Sequence, residues 1–393
     1  MRATYEVADI INTFYDEAFG MRIPRHHQRT LNALQACRTA ALGGHVDACD
    51  ACGNMRISYN SCRNRHCPKC QGLQKEMWAI QREEELLPVA YFHVVFTLPH
   101  ELNGLCLHNP RFMYDLLFES AWYVLHKFGR DPEWLGAQTA ATMVLHTWGQ
   151  NLQLHPHVHC IVPNGGINKR GTWQNARKGN SQFLYPVPAM NQVYKAYFLK
   201  RLRQHLERGE LSLPNNFPTP KDYYYWKERL YKKDWVVYAK PPFGGVENVV
   251  KYLARYSHRV AIANQRIINI TEEHVSFGYK DYKDGARQKV MTLTGAQFLQ
   301  RFCLHILPNR FRKIRHFGFL SNAAKKKRLN QAKQALLKKQ HNALTKAQRK
   351  ALAAQRLFSN NASLCPCCKQ GRMVIVEILL PNKDPPGNRN RKW

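Results

Sequence analysis

Apolar positions along the 393-residue chain follow two periods, and the switches between them mark out its elements. Tyr5 to Phe19 and His26 to Leu42 carry helical spacing on either side of a break at Pro24. Gln74 to Pro88 reads as a helix, and Tyr91 to His100, apolar and β-branched, as a buried strand. Residues 111–129 form an amphipathic helical pattern. Thr139–Gln150 and His157–Gly166 read as two strands joined by a short loop, and Phe183–Val187 as a further short strand. A helix follows over Asn191–Glu207. Asp234–Phe243 then reads as a strand entering a Gly244-Gly245 turn, and Val246–Arg259 as a helix. Strands and helices alternating between about residues 90 and 260 predict an α+β class.

Composition narrows what such a chain can do. It carries 59 Lys+Arg against 27 Asp+Glu, a formal net charge of +32. A surface so positive repels itself unless a polyanion neutralises it, which makes nucleic acid the first candidate partner. Hydrophobic residues make up 44%, enough for a buried core, so global disorder is excluded. No apolar run approaches the length of a membrane span, and the first residues lack the apolar core of a signal peptide. The expected location is therefore the cytoplasm, on the nucleoid when DNA is bound, with no membrane partner. From Gly285 to Val376 there is no acidic residue among 20 Lys+Arg, and Lys325, Lys326, Lys327 and Arg328 form its densest run. Four segments are expected: a helical, zinc-binding 1–88, an α+β 89–265, a basic, mostly helical DNA-binding 266–380, and a disordered tail 381–393.

Twelve cysteines in a reducing compartment point to metal rather than disulfides. Cys49-x2-Cys52 and Cys67-x2-Cys70 are two knuckles that can complete one tetrahedral zinc site. A second zinc would take Cys37, His45, Cys62 and His66 in a cross-braced arrangement. Arg63 and Arg65 decorate the block and are expected to touch phosphates. Cys365-x2-Cys368 is half a site whose two further ligands the sequence does not identify.

Residues two apart on a strand share a face, so His157 and His159 project side by side. The preceding strand offers His146, or alternatively Gln150, as a third ligand, leaving open positions on the ion. Imidazoles favour Zn, Mn or Ni over Mg. Further on, Tyr252 and Tyr256 lie one turn apart beside an apolar stripe containing Val249 and Leu253, with Arg255 and Arg259 towards the polar side. Tyrosines at that spacing also pack simply as core, and a phenol is a poor nucleophile unless a cation favours the phenolate.

Taken in order, YNSCRNRHCPKCQ, LHTWGQNLQLHPHVHCIVPNGG, KYLARYSHRVAI and RHFGFL resemble the IS91-type rolling-circle insertion-sequence transposases, which are two-tyrosine HUH endonucleases. The resemblance spans about residues 25–320. It implies an HUH core, an antiparallel sheet flanked by helices, behind a zinc domain. It also implies His157 and His159 as motif ligands, Tyr252 and Tyr256 as nucleophiles, and Mg2+ or Mn2+ as the catalytic ion. The implied reaction is cleavage and rejoining of single-stranded DNA at element ends and target through 5′-phosphotyrosine, without ATP. No P-loop occurs in the chain, in keeping with that. The rival readings are a plasmid relaxase or replication initiator with the same chemistry, a non-catalytic zinc-dependent DNA-binding regulator, and a metal hydrolase acting through water. Oligomeric state and order of the two tyrosine attacks are not encoded in these motifs.

Overall fold

The structure of the chain, a computed structural model, describes residues 3–20, 23–176, 184–215, 217–218, 222–240, 248–249, 260–282, 284–323, 325–337, 344–358 and 364–382. The N-terminal part gives helices α1 (Val7–Phe19) and α2 (Arg25–Ala36), strands β1 (Gly44–Cys49) and β2 (Met55–Tyr59), and helix α3 (Gly72–Glu85). The middle gives β3 (Tyr91–Thr97), α4 (Asn103–His108), α5 (Pro110–Arg130), β4 (Ala140–Trp148), β5 (Leu154–Pro163), β6 (Gly166–Ile167), β7 (Trp173–Gln174), α6 (Val187–Glu207), α7 (Tyr223–Lys232) and β8 (Val237–Lys240). The remainder gives β9 (Ile267–Ile270), β10 (His274–Asp281), β11 (Arg287–Thr294), α8 (Gly295–Cys303), β12 (Ile314–Gly318), α9 (Lys325–Leu337), α10 (Lys346–Phe358) and β13 (Met373–Leu379).

Five strands make the central antiparallel sheet, in the order β12-β4-β5-β3-β8. One face is apolar: Val94, Phe96, Met143, Leu145, Val158, Cys160 and Val162 bury against Leu117, Phe118 and Val124 of α5 and Tyr194 and Phe198 of α6. α5 starts with proline in its first turn, where the missing N–H is not needed, and buries Met113, Leu116, Leu117, Ala121, Val124 and Phe128 at helical spacing. Phe183–Val187 does not form the expected strand: within its described part, Pro186 caps α6 and Val187 opens it. Pro186 and Pro188 cannot donate to a sheet ladder but suit a first helical turn.

Among the described residues three smaller sheets accompany the central one: the β6-β7 pair, a meander and a ribbon. The meander β9-β10-β11 packs with α8 and α1 around Ile10, Phe14, Phe277 and Phe298. Thr294 and Gln297 form a capping box at the start of α8. Gly295 there has no room for a side chain, because a Cβ would meet the Phe14 ring at 2.0 Å. The third sheet, β13-β1-β2, joins the two ends of the chain: His45 stands opposite Ser58 on one side and Ile378 on the other.

This packing departs from the boundaries expected at 88, 265 and 380. β12 completes the central sheet, α10 packs on α3, and β13 completes the N-terminal ribbon. The basic stretch thus contributes to the central sheet, the meander, the layer on α3 and the ribbon. Local composition marked it as a unit, but pairing across hundreds of residues leaves no local trace.

Candidate metal centres

The second face of the central sheet carries a cluster of histidines. His146 stands directly opposite His157, and Val144 opposite His159, so strand register puts three imidazoles on adjacent positions of that face. One ring nitrogen from each of His146, His157 and His159 lies within 4.8 Å of the others. His146 and His159 are buried and His157 partly so. The alternative Gln150 lies beyond the end of β4, and its backbone carbonyl accepts from Arg266.

The rings are oriented by their other nitrogens. Nδ1–H of His157 donates to the His155 carbonyl at 2.7 Å, which makes Nε2 its lone-pair nitrogen. Nδ1 of His159 lies 2.9 Å from Nε2 of His93 on β3. Burial first, then the charge of Lys240 and the nearby His157, hold His93 down to about 3, so its ring stays neutral. A neutral His93 can accept from His159 Nδ1–H, and that tautomer turns the Nε2 lone pair of His159 to the cluster. His93 had no visible partner in the sequence; its role arises from the β3–β5 register, which sets it diagonal to His159.

The hairpin that carries these rings is pinned from outside. Arg301 donates to the Asn151 carbonyl at 3.1 Å, and His305 to that of Leu152 at 3.0 Å. Leu152 takes a left-handed conformation, φ 61°, and is fully buried in the core shared by α1 and α8. Farther along the face, Arg82 of α3 donates to Nε2 of His316 at 2.7 Å, and His316 Nδ1–H donates to Thr142 at 3.0 Å. Burial, then Lys325 and Arg82, lower His316 to about 3, in keeping with a ring that accepts from a guanidinium.

Tyr252, Tyr256, Arg255 and Arg259 lie outside the described residues, as does the Gly244-Gly245 turn. Val249, three positions before Tyr252, is described. It is buried at 1% exposure beside Tyr91 and Ile161, and Ile161 is two residues along β5 from His159.

The cysteines regroup relative to expectation. One cluster gathers Cys37, Cys62, Cys67 and Cys70, the other Cys49, Cys52, Cys365 and Cys368. The expected set of Cys49, Cys52, Cys67 and Cys70 is therefore split. β1 and β2 carry the first knuckle to the end of the ribbon where β13 begins, while the second knuckle folds back on Cys37, the C-cap of α2. His45 and His66 join neither cluster. His45 lies 3.4 Å from Asp47, and burial keeps His66 well below its ordinary pKa beside Arg65. Nearest sulfur contacts are 3.5 Å for Cys37–Cys67 and 3.7 Å for Cys62–Cys70. A tetrahedron with zinc–sulfur bonds of about 2.3 Å has edges of about 3.8 Å, so the spacing fits one ion at the centre.

The expected phosphate contacts divide likewise. Arg63 is exposed at a left-handed turn, φ 52°. Arg65 instead turns inward and donates to the carbonyls of Pro308 at 3.0 Å and Phe311. Lys325 pairs with Glu85, and Arg328 donates to Gln138 at 3.2 Å, so of the run only Lys326 and Lys327 are exposed. α10 sends Arg349 to Glu84 and Arg356 to Glu83, each at 2.8 Å. Glu83, Glu84 and Glu85 of α3 thus pair with Arg356, Arg349 and Lys325, three cations of the stretch that sequence alone assigned to DNA.

Comparison with known proteins adds independent findings. A family model described as "Putative transposase" matches residues 140–328, and one described as "Transposase zinc-binding domain" matches residues 8–98. The "Putative transposase y4qJ" of Sinorhizobium fredii (strain NBRC 101917 / NGR234) is 41% identical over 394 residues, covering 98% of each chain. The "Transposase for insertion sequence element IS801" of Pseudomonas savastanoi pv. phaseolicola is 28% identical over 307 residues, covering 75% of this chain and 70% of the relative. No solved structure matches the chain.

Proposed function

The chain belongs to the IS91-type insertion-sequence transposases, and from that premise we propose that it cleaves and rejoins single-stranded DNA at element ends through 5′-phosphotyrosine. The observation that carries the reading is the convergence of His146, His157 and His159 on one sheet face, with Val249 of the tyrosine segment seated on the same face. The donor set fits a divalent ion: two rings have Nδ1 engaged by His155 and His93, leaving Nε2 as their ligand nitrogen. Such an ion would stabilise charge developing on the scissile phosphate. Three imidazoles favour Mn2+ over Mg2+.

The chain's own residues do the rest. Tyr252 or Tyr256 attacks phosphorus through its phenol oxygen. A tyrosine O–P bond forms, the bond to the 3′ oxygen breaks, the phenolic proton is lost and the departing oxygen takes one up. The product is a 5′-phosphotyrosine and a 3′-OH, which conserves the phosphodiester energy. The second tyrosine can receive a second strand at the other end or the target. His93 is a positioning residue that fixes the His159 ring.

The test is a denaturing gel with a labelled single-stranded element-end oligonucleotide and the full chain. The expected result is a covalent adduct with Mn2+ or Mg2+, lost with EDTA and absent from the Tyr252→Phe/Tyr256→Phe chain. Retention of the adduct by the double variant places the nucleophile elsewhere. Cleavage with no adduct means attack by water, and binding without cleavage means a regulator.

A further inference from the structure

The match to a transposase zinc-binding domain ends at residue 98, yet half of the second cysteine cluster comes from far beyond it. Cys49 Sγ lies 3.7 Å from Cys368 Sγ, and Cys52 Sγ 3.7 Å from Cys365 Sγ. These distances are far from the ~2.05 Å of a disulfide and close to the ~3.8 Å edge of a zinc–thiolate tetrahedron. Backbone amides face the sulfurs as they do around thiolates: Ala51 and Cys52 donate to Cys49 Sγ, Cys367 to Cys365 Sγ, and Gly371 to Cys368 Sγ, at 3.3–3.4 Å. Gly371 is required by the close approach, since a Cβ there would meet Cys49 Sγ at 2.5 Å. Asp50 and Arg372 lock the two knuckles together: the Asp50 N–H donates to the Arg372 carbonyl at 3.1 Å, and the Arg372 N–H donates to the Asp50 carboxylate at 2.7 Å.

We infer that Cys49, Cys52, Cys365 and Cys368 bind a structural zinc of their own, which clasps the C-terminal hairpin to the N-terminal ribbon. Four thiolates close the coordination shell, so the ion has no position left for substrate. The clasp closes a loop of roughly 316 residues, the kind of long closure whose constraint on the unfolded chain is largest in principle. It also fixes the far end of the segment bearing α9 and α10, whose near end is held by β12 in the central sheet. α10 lies on α3, and Arg82 of α3 reaches the histidine face through His316. Zinc at the ribbon thereby supports the layer that packs on the histidine-bearing face of the sheet. This inference stands apart from the phosphotyrosine reading and does not require it.

The test uses the full chain and zinc itself. Cys367, exposed between the two ligands, serves as an internal control. In native protein treated with a maleimide and read by peptide mass, Cys367 should label at once. Cys52, which is also exposed, should resist together with Cys368 until a zinc chelator is added. Exposure rules out burial as the cause of protection at Cys52. Zinc content should fall by one equivalent in Cys365→Ser/Cys368→Ser and by a different one in Cys37→Ser/Cys62→Ser. Labelling of Cys52 and Cys368 as fast as Cys367, or unchanged zinc in the Cys365→Ser/Cys368→Ser chain, overturns the inference.

Discussion

The two faces of the central sheet are built from the same strands and have opposite character. On β5, Val158, Cys160 and Val162 face α5 and α6 in a dry core, while His157 and His159 face the other way beside His146. Strand alternation separates the apolar core from the histidine cluster residue by residue, and with it, on the proposed reading, stability from chemistry. A change on one face should therefore cost folding, and a change on the other should cost activity.

The largest expected effect is on the histidine face. His157→Ala with His159→Ala should abolish oligonucleotide cleavage while leaving the thermal midpoint within a few degrees. A collapse of the midpoint in that variant would break the contrast. On the apolar face, Phe96 is fully buried, and Phe96→Ala should destabilise by about 3–5 kcal/mol in denaturant unfolding. A folded remainder at low denaturant should still bind Mn2+. Next in size is His93, between the two extremes because it touches a candidate ligand rather than an ion. His93→Ala should weaken Mn2+ binding, read by titration calorimetry, by roughly 10–100-fold. His93→Gln, whose side-chain oxygen can still accept from His159, should recover part of that loss. Equal defects in both variants would reduce His93 to packing.

The smallest expected effect is on pH dependence. Burial lowers His305 to about 4 and His316 to about 3, below the ordinary value of 6.5. In that window the unfolded chain takes up protons that the folded chain refuses. Stability is therefore full above about pH 6.5 and falls as pH drops towards 4. His305→Gln should flatten that slope in melts at stepped pH; an unchanged slope would assign the acid sensitivity to other groups.

How much of this the sequence disclosed depended on the range of each interaction. The histidine face was legible because residues two apart on one strand need no tertiary knowledge, and the paired strand lay a few residues upstream. The cysteine pairs were legible as pairs for the same reason. Their partners were not, because β1–β13 pairing joins residues more than three hundred positions apart. Arg65 and Lys325 read as phosphate contacts because composition records charge, not the carbonyls and the Glu85 carboxylate that meet them after folding. His93 escaped notice because a lone histidine on an apolar strand has no local signature.

The central claim, that a tyrosine of the segment beginning at Val249 attacks DNA, is open to one direct measurement. Trypsin cuts after Lys251 and Arg255, so Tyr252 and Tyr256 fall into separate peptides, Tyr252–Arg255 and Tyr256–Arg259. After reaction with a single-stranded element-end oligonucleotide and nuclease trimming, mass spectrometry should find a 5′-linked nucleotide remnant on one or both of them, and only when Mn2+ or Mg2+ was present. A remnant on any other peptide, or cleaved DNA with neither peptide modified, contradicts the account.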